Sequence, residues 1–409
     1  RGFKMTPGIG GSTIEKELRS MEVISQNVKP IPKSEYYERI KKATNLMRKF
    51  NVDVIFLSCS TNLRYFVNLD ISLSERLHAA IINKGGDVLY ITPAFEKQKT
   101  KTMITIPGKV FVWEEDEDPA ILTMKCFAHL GVSKGIIAID ENTPFFIFDA
   151  LQKANKNHKF VNAHIITKNS REIKSKNEIV LIQAAMNVAL EVQRRTARIL
   201  YPGITTREVQ NFVSAAHKKL GSHTPPAFNI VLFGEASAYP HGVPYSQELE
   251  EGDIVLLDMG ATVGGYYSDI TRTYVFGKPT QKQREIWELE RGAQNAIFEA
   301  AQIGIPCENL DAAARHYLEK FGLGPGYKTP GLPHRAGHGL GLDIHEHPYL
   351  VKGNTDNIAA GMCFSNEPMI CIYNEFGVRL EDHIYMTPTG PKWFTEPALS
   401  IDDPFGYNK

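Results

Sequence analysis

Two pairs of acidic residues, each carried by a strand–turn–strand pattern, are the residues of this sequence best placed to do chemistry. Asp258 ends an apolar strand pattern that starts at Asp253, and Asp269 follows across a glycine-rich segment. A two-residue turn at Val263-Gly264 would place Asp258 directly opposite Asp269, with their Cβ atoms about 5 Å apart. Like charges in this arrangement destabilise a hairpin unless a cation lies between them.

A second hairpin repeats the arrangement. Glu367 and Glu381 flank a Tyr-Asn-Glu-Phe-Gly turn, and a turn centred on Asn374 places the two carboxylates opposite each other. Four carboxylates in one pocket would each raise the pKa of the others. Two divalent cations would cancel the four charges, and oxygen ligands suit Mn²⁺, Fe²⁺, Co²⁺ or Zn²⁺ in a two-metal site. The spacing therefore predicts a dinuclear metal centre.

A nitrogen ligand for this centre is available in the stretch His334–Pro348. His338 lies between two glycines, which allow the backbone to approach an ion closely. His345 follows seven residues later and could face the same cavity. We interpret His334 and His347 as ordinary histidines without a role in the site. The glycine-rich segments do not follow G-x-x-x-x-G-K-[ST], so a phosphate-binding loop is the weaker alternative.

Composition limits the classes of protein that could carry such a centre. The 409 residues include 46 Lys and Arg against 46 Asp and Glu, so no net cationic field favours nucleic acid or anionic membranes. No apolar run approaches the ~20 residues of a membrane span. The 43% of hydrophobic residues excludes disorder of the whole chain. Five scattered cysteines without a C-x-x-C pair indicate free thiols, and we expect a cytoplasmic protein.

Three segments of the chain must position these residues. Residues 1–33 read as an extension, and residues 34–167 as a small α/β domain in which helices alternate with short apolar strands. Residues 168–409 read as an α+β domain that carries both acid pairs. Its first long helix has the capping-box pattern Ser175-x-x-Glu178 at its start and Pro202-Gly203 after its end.

The motifs around the candidate ligands resemble those of a known family, the pita-bread dinuclear metallopeptidases, which include methionine aminopeptidase, prolidase and aminopeptidase P. The motifs are D-M-G-A-x(6)-S-D-x-T-R-T, H-R-A-G-H-G-L-G-L-D-I-H-E, N-E-P-M and V-R-L-E-D. The resemblance covers nearly all of the chain after Ser34. It implies a pita-bread catalytic domain preceded by a smaller α/β domain.

The same resemblance implies roles for individual residues. It implies that two metal ions, with manganese expected and cobalt, zinc or iron as alternatives, are bound by Asp258, Asp269, His338, Glu367 and Glu381. It also implies that His241 and His345 are catalytic histidines that face the substrate. Arg379, two residues before Glu381, is interpreted either as orienting the metal-binding carboxylates or as an exposed strand cation.

The first domain narrows the resemblance to one branch of the family. The segments Ser-Thr-Asn-Leu-Arg-Tyr-Phe and Ser-Glu-Arg76 look like the amino-terminal domain of prolidase, aminopeptidase P and creatinase. This branch typically cleaves Xaa-Pro bonds and is dimeric, so a homodimer acting on peptides is expected. Residues 346–357 contain no arginine to bind the terminal carboxylate of a dipeptide, which weakens prolidase in particular.

The expected reaction is the attack of a metal-bridging water on the scissile carbonyl, with Glu367 as general base and His345 and His241 assisting. Two alternatives stay open. One is an amidohydrolase of a small non-peptide substrate on a creatinase-like scaffold, which the complete set of metal ligands disfavours. The other is a peptide-binding module without catalysis, for which a broken ligand set would be typical.

Overall fold

The computed structural model describes residues 5–408, and it divides into two compact units. One unit is Pro30–Arg171, and the other combines Glu172 onward with the described residues up to Lys29. The sequence predicts this division near residue 168, within a helix that ends at Arg171. The extension does not stand apart, since Ile9 and Met21 are buried in a hydrophobic cluster of the second unit.

Helices and strands alternate along both units. The α-helices are α1 Ile14–Arg19, α2 Lys33–Lys49, α3 Thr61–Val67, α4 Lys97–Met103, α5 Pro119–His129, α6 Phe145–Ala154, α7 His164–Arg171, α8 Lys176–Arg198, α9 Thr206–Leu220, α10 Gln281–Ala300 and α11 Glu308–Glu319. The strands are β1 Val54–Leu57, β2 Ala79–Asn83, β3 Val88–Pro93, β4 Lys109–Trp113, β5 Gly135–Ile139, β6 His158–Asn162, β7 Phe228–Phe233, β8 Ile254–Gly260, β9 Thr262–Val263, β10 Tyr266–Tyr267, β11 Ile270–Val275, β12 Gly337–Gly339, β13 Glu346–Leu350, β14 Cys363–Asn366, β15 Met369–Ile372, β16 Phe376–Arg379, β17 Asp382–Thr387 and β18 Gly390–Trp393.

The unit Pro30–Arg171 contains one mixed sheet of six strands. The strand order is β4-β3-β2-β1-β5-β6. Strand β2 is antiparallel to both of its neighbours, β1 and β3. The pairs β3–β4, β1–β5 and β5–β6 are parallel. The central strand β1 is buried at every residue, which explains its continuous apolar sequence. The structure thus confirms the small α/β domain.

The larger unit is built around β8, the middle strand of the antiparallel sheet β11-β8-β7. Alternate residues of β8 enter two different hydrophobic clusters: Ile254 and Leu256 lie in one, and Val255 and Leu257 in the other. Because both faces are covered, residues 254–257 of the strand are apolar without a break. A second antiparallel sheet, β13-β12-β14-β17-β18, completes the α+β domain.

The long helices of this unit begin with side-chain caps that the sequence encodes. The side chains of Ser175 and Glu178 form the predicted capping box at the start of α8. Thr205 and Thr280 cap α9 and α10 in the same way. Each box satisfies backbone N–H groups that lack partners within the helix, and so it fixes where the helix begins.

Two further properties concern the chain as a whole. Four of the five cysteines are buried, and Cys59 is partly exposed. Within residues 5–408, no helix has the length together with the apolar character that crossing a bilayer requires.

Candidate metal centre

The first acid pair lies on two antiparallel strands, but the predicted register is wrong by two residues. Asp258 on β8 pairs with Thr271 on β11, not with Asp269. The turn falls at Gly264-Gly265, where both φ angles are positive, +59° and +84°. Two glycines accept this conformation more readily than Val263-Gly264 would. A shift of two keeps Asp258 and Asp269 on the same face as diagonal neighbours.

The second acid pair has the predicted register. Strand β14 pairs with β17, and β15 pairs with β16, in one continuous alignment about a turn at Asn374. Asn374 has a φ of +70°, the left-handed conformation that asparagine tolerates well. Glu367 and Glu381 face each other in the short interruption between the two ladders. The hairpin prediction for these two carboxylates is therefore confirmed.

His338 is the middle residue of β12, and its flanking glycines serve the backbone. A Cβ atom on Gly337 would collide with the carbonyl oxygen of Ser365, and one on Gly339 with the carbonyl oxygens of Glu346 and His347. The glycines are thus required because neighbouring strands approach closely, not because an ion does. The close approach brings the ring of His338 into the space between the two hairpins.

One nitrogen atom lies at the centre of the acidic residues. His338 Nε2 is 2.8 Å from Glu367 Oε1, 3.3 Å from Asp269 Oδ2 and 3.7 Å from Glu381 Oε2. These side chains are at most 15% exposed. Asp258 adjoins them through its position beside Asp269. The structure therefore brings together all five residues that the sequence predicts as metal ligands.

Arg379 supplies the nearest fixed positive charge, and it is 2% exposed, so its alternative interpretation as an exposed strand cation is wrong. Its Nη2 donates to Asp258 Oδ2 at 2.8 Å, and its Nε lies 3.9 Å from Glu367 Oε2. Its Nη1 donates to the carbonyl oxygen of Pro240 at 3.0 Å. Arg379 thus connects the carboxylates to the loop that carries His241.

The pKa values of these groups show that the negative charge of the four acids is only partly compensated by the protein. Burial raises the pKa of Asp258 to about 6 in spite of the neighbouring Arg379. Burial, with the charges of Glu381 and Asp258, raises the pKa of Asp269 well above its usual range. Burial opposes protonation of His338, but the surrounding carboxylates outweigh it and raise its pKa well above normal. Four acids here share two cationic groups, so further positive charge would stabilise the cluster.

The donor atoms fit divalent metal ions. The buried oxygens Asp258 Oδ1 and Asp269 Oδ1 accept no hydrogen bond among residues 5–408. His338, Glu367 and Glu381 offer three ligand atoms that lie within 4.8 Å of one another, and Asp269, His338 and His345 offer a second such group. Carboxylate oxygens with one or two imidazole nitrogens are the donors of first-row divalent metal sites.

A cavity of about 820 Å³ opens above the carboxylates. Apolar side chains contribute to its lining, among them Phe228, Ile230 and Ile344. The predicted histidines His241 and His345 both line it, and the ring centroids of His345 and His338 are 4.0 Å apart. Burial and the neighbouring His338 lower the pKa of His345 to about 4, so it is neutral at physiological pH.

Two residues that line the cavity are not among the site residues predicted from the sequence. His334, for which the sequence predicts no role in the site, lines the cavity, because the segment that leads into β12 passes along its edge. Arg335 lines it as well, with its guanidinium 4.2 Å from the ring centre of Tyr349. His347 packs on Tyr349 at 4.8 Å between ring centroids and is not among the lining residues.

Two hydrogen-bond partners of Glu381 are not among the residues predicted from the sequence. Thr271 Oγ1 donates to Glu381 Oε1 at 2.8 Å, and His383 Nε2 lies 3.2 Å from Glu381 Oε2. A usable signal existed for His383, because residues two apart on a strand point to the same face. No comparable signal marks Thr271, since its contact depends on how two sheets meet.

Removal of divalent ions should destabilise the protein. The carboxylates repel one another when they lack ions, and an ion present at 100 times its Kd stabilises a fold by about 2.7 kcal/mol. We expect the melting temperature to fall after dialysis against a chelator and to recover when Mn²⁺ or Co²⁺ is added back. Differential scanning calorimetry measures both values. Identical melting curves with and without ions would show that these residues bind no metal.

Comparisons with known proteins agree with this geometry. Residues 180–388 match metallopeptidase family M24, and residues 39–173 match the Creatinase/Prolidase N-terminal domain. The chain is 31% identical over 364 residues to an Xaa-Pro dipeptidase of Pyrococcus horikoshii, which covers 89% of this chain and 98% of that protein.

Solved structures show the same likeness. A prolidase from Thermococcus sibiricus superposes with a TM-score of 0.80 at 29% identity, covering 88% of this chain and 97% of the other. An X-Pro aminopeptidase from Thermotoga maritima superposes with a TM-score of 0.76 at 25% identity, covering 87% and 97%.

Proposed function

Because this chain belongs to metallopeptidase family M24, we propose that it hydrolyses peptide bonds that precede proline, with divalent metal ions held by the five clustered ligands. The observation that carries the proposal is the meeting of four carboxylates and His338 at the base of a cavity large enough for a short peptide. The named activity of its relatives, Xaa-Pro dipeptidase or prolidase, supports the choice of bond.

The residues of the cluster would hold two ions, since the four carboxylates carry the charge that two divalent cations neutralise. When bound, such ions supply a Lewis acid for the scissile carbonyl and lower the pKa of water. The oxygen-rich donor set supports manganese as the native ion, with cobalt, zinc or iron as alternatives. The expectation of a homodimer rests on the family resemblance alone. Sedimentation velocity measures the oligomeric state.

The protein side chains have separate tasks in this reaction. Glu367, the most accessible of the four carboxylates at 15% exposure, accepts the proton of the attacking water. His345 is neutral and faces the cavity, so its N–H can donate to the oxygen of the carbonyl as negative charge develops there. His241, which follows the Pro240 carbonyl held by Arg379 and lines the cavity, would assist at the amide nitrogen of the substrate.

The position of Arg335 favours dipeptides over longer peptides as substrates. Arg379 is already paired with Asp258, whereas no carboxylate of residues 5–408 forms an ion pair with Arg335, which stacks on Tyr349. A guanidinium in this position can bind a free carboxylate with two hydrogen bonds. Arg335 therefore supplies the guanidinium that residues 346–357 lack, and a dipeptide places its terminal carboxylate one residue from the scissile bond.

A side-by-side assay tests the proposed function. The manganese-loaded enzyme is given an Xaa-Pro dipeptide, the corresponding Xaa-Pro-Xaa tripeptide and creatine, and the products are separated by chromatography. We expect cleavage of the dipeptide with the highest kcat/KM. Cleavage of the tripeptide alone would select an aminopeptidase, and cleavage of creatine alone would replace the peptidase with an amidohydrolase. No hydrolysis of any substrate would favour a binding module.

Replacing Arg335 with methionine should weaken dipeptide binding. A hydrogen bond to a charged group is worth about 1.5–3 kcal/mol, so KM for an Xaa-Pro dipeptide should rise about 10- to 100-fold. The KM for the matching dipeptide amide, which lacks the carboxylate, should stay within about 3-fold. Lys352→Met removes an exposed cation of the same region and serves as the control. Equal effects of R335M on acid and amide would contradict the assignment.

A further inference from the structure

Glu381 is flanked by two histidines, and the structure distinguishes their roles. His338 Nε2 lies 3.7 Å and His383 Nε2 lies 3.2 Å from the same oxygen, Glu381 Oε2. Both rings are buried, with His383 wholly inaccessible. By distance alone His383 is an equally good candidate ligand, because Asp269, Glu381 and His383 offer three ligand atoms within 4.8 Å of one another.

The hydrogen bonding of the second ring nitrogen, Nδ1, distinguishes His338 from His383. A histidine that binds a metal through Nε2 carries its proton on Nδ1, and that N–H almost always donates to a partner. His338 fits this pattern, since its Nδ1 lies 2.8 Å from the carbonyl oxygen of Gly339. His383 does not fit, because its buried Nδ1 has no hydrogen-bond partner among residues 5–408. A proton on Nδ1 of His383 would be a buried donor without an acceptor, and Nε2 would then face the carboxylate of Glu381 at 3.2 Å with no proton to donate.

We propose that His383 is a positioning residue that carries its proton on Nε2 and donates it to Glu381 Oε2, and that it is not a metal ligand. The other oxygen, Glu381 Oε1, accepts the hydroxyl of Thr271 at 2.8 Å. The two donors hold both oxygens of the carboxylate, so its plane cannot rotate. This assignment rests on the proposed role of Glu381 as a ligand, and it adds a residue that the sequence motifs do not mark.

The strand geometry supports the assignment. Glu381 and His383 are two residues apart and face the same side, whereas Asp382 between them is held by Arg272 at 2.8 Å and by Gln294 at 2.8 Å. The bonds to Asp382 fix the backbone from the opposite side. The position of His383 beside Glu381 is therefore set by the backbone on which both residues lie. This arrangement holds the Glu381 carboxylate in one orientation before a metal ion binds. Loss of such a hydrogen-bond partner of a metal ligand typically lowers metal affinity 10- to 100-fold.

Metal titration with matched variants tests the proposal. His383→Leu removes the donor at similar size, and His383→Gln keeps an N–H donor. Calorimetric titration of the metal-free full-length protein with Mn²⁺ should show affinity about 10- to 100-fold lower for H383L and within about 3-fold of wild type for H383Q. His217→Leu, at a buried histidine on α9 whose Nδ1 contacts the carbonyl oxygen of Val213, should leave the affinity unchanged.

Pulsed electron paramagnetic resonance of the Mn²⁺-loaded wild type provides the second readout, because it counts the imidazole nitrogens that bind the metal. The proposal predicts the same nitrogen couplings in wild type and H383Q. A coupling that disappears in H383Q would identify His383 as a ligand and overturn the proposal, as would H383L binding Mn²⁺ as tightly as wild type. If H383L does not fold, H383Q and the wild-type spectrum still decide. Cleavage of Xaa-Pro peptides by wild type is measured separately, so failure of the proposed function is recognised on its own.

Discussion

Replacing Asp269 with asparagine should reduce peptide hydrolysis by at least about 1,000-fold, equivalent to about 4 kcal/mol of transition-state stabilisation. Asp269 Oδ2 lies 3.3 Å from His338 Nε2, and its other oxygen accepts no hydrogen bond among residues 5–408. An asparagine amide has the same shape but lacks the charge that a divalent ion requires. Metal content, measured by elemental analysis after gel filtration, should fall together with kcat.

The same variant should not damage the metal-free fold. Burial and the neighbouring charges of Glu381 and Asp258 already raise the pKa of Asp269 well above its usual range, so a neutral side chain relieves repulsion. We expect the free energy of unfolding of the metal-free protein to be unchanged or higher. Glu375→Gln, at an exposed turn residue paired with Lys282, is the control and should keep both metal and activity. Full hydrolysis by D269N would contradict the metal assignment.

The second large effect concerns Arg379, whose loss should destabilise the protein by about 3–5 kcal/mol. Arg379 is buried and paired with Asp258 at 2.8 Å, so Arg379→Met leaves a buried carboxylate without its partner. The variant also loses the hydrogen bond to the carbonyl oxygen of Pro240, which positions the loop of His241. Chemical denaturation of the metal-free protein measures the change in the free energy of unfolding.

A surface pair provides the comparison for this measurement. Arg284 and Asp402 form an ion pair at 2.6 Å, but Asp402 is 62% exposed. Exposed pairs contribute about 0–1 kcal/mol, so Arg284→Met should change the free energy of unfolding by less than about 1 kcal/mol. Equal, small effects of R284M and R379M would show that the charge of Asp258 is compensated without Arg379.

Local sequence signals predicted the parts of the fold that local interactions determine. Ser175 and Glu178 predict the start of α8 because a capping box needs only residues three apart. The turn at Asn374 predicts the contact of Glu367 with Glu381, because a short hairpin fixes its own register. The predicted ligands meet for the same reason, since two hairpins and one glycine-flanked strand carry them all.

Features that depend on contacts between distant segments were not predictable in this way. The turn of the first hairpin lies at Gly264-Gly265 and not at the predicted Val263-Gly264, because several neighbouring glycines allow more than one turn position. The role of Thr271 depends on the contact of β11 with the segment of Glu381, and that of Arg335 on the path of the chain before β12. Tertiary packing decides each of these contacts.

The central claim is that two divalent ions bind at these carboxylates and are required for hydrolysis. Titration of the metal-free protein with Mn²⁺, with bound metal and hydrolysis of an Xaa-Pro dipeptide measured on the same samples, tests it most directly. The account predicts two bound ions per chain at saturation and activity that rises with occupancy from a metal-free value near zero. Full activity in the metal-free protein, or saturation without bound metal, would contradict it.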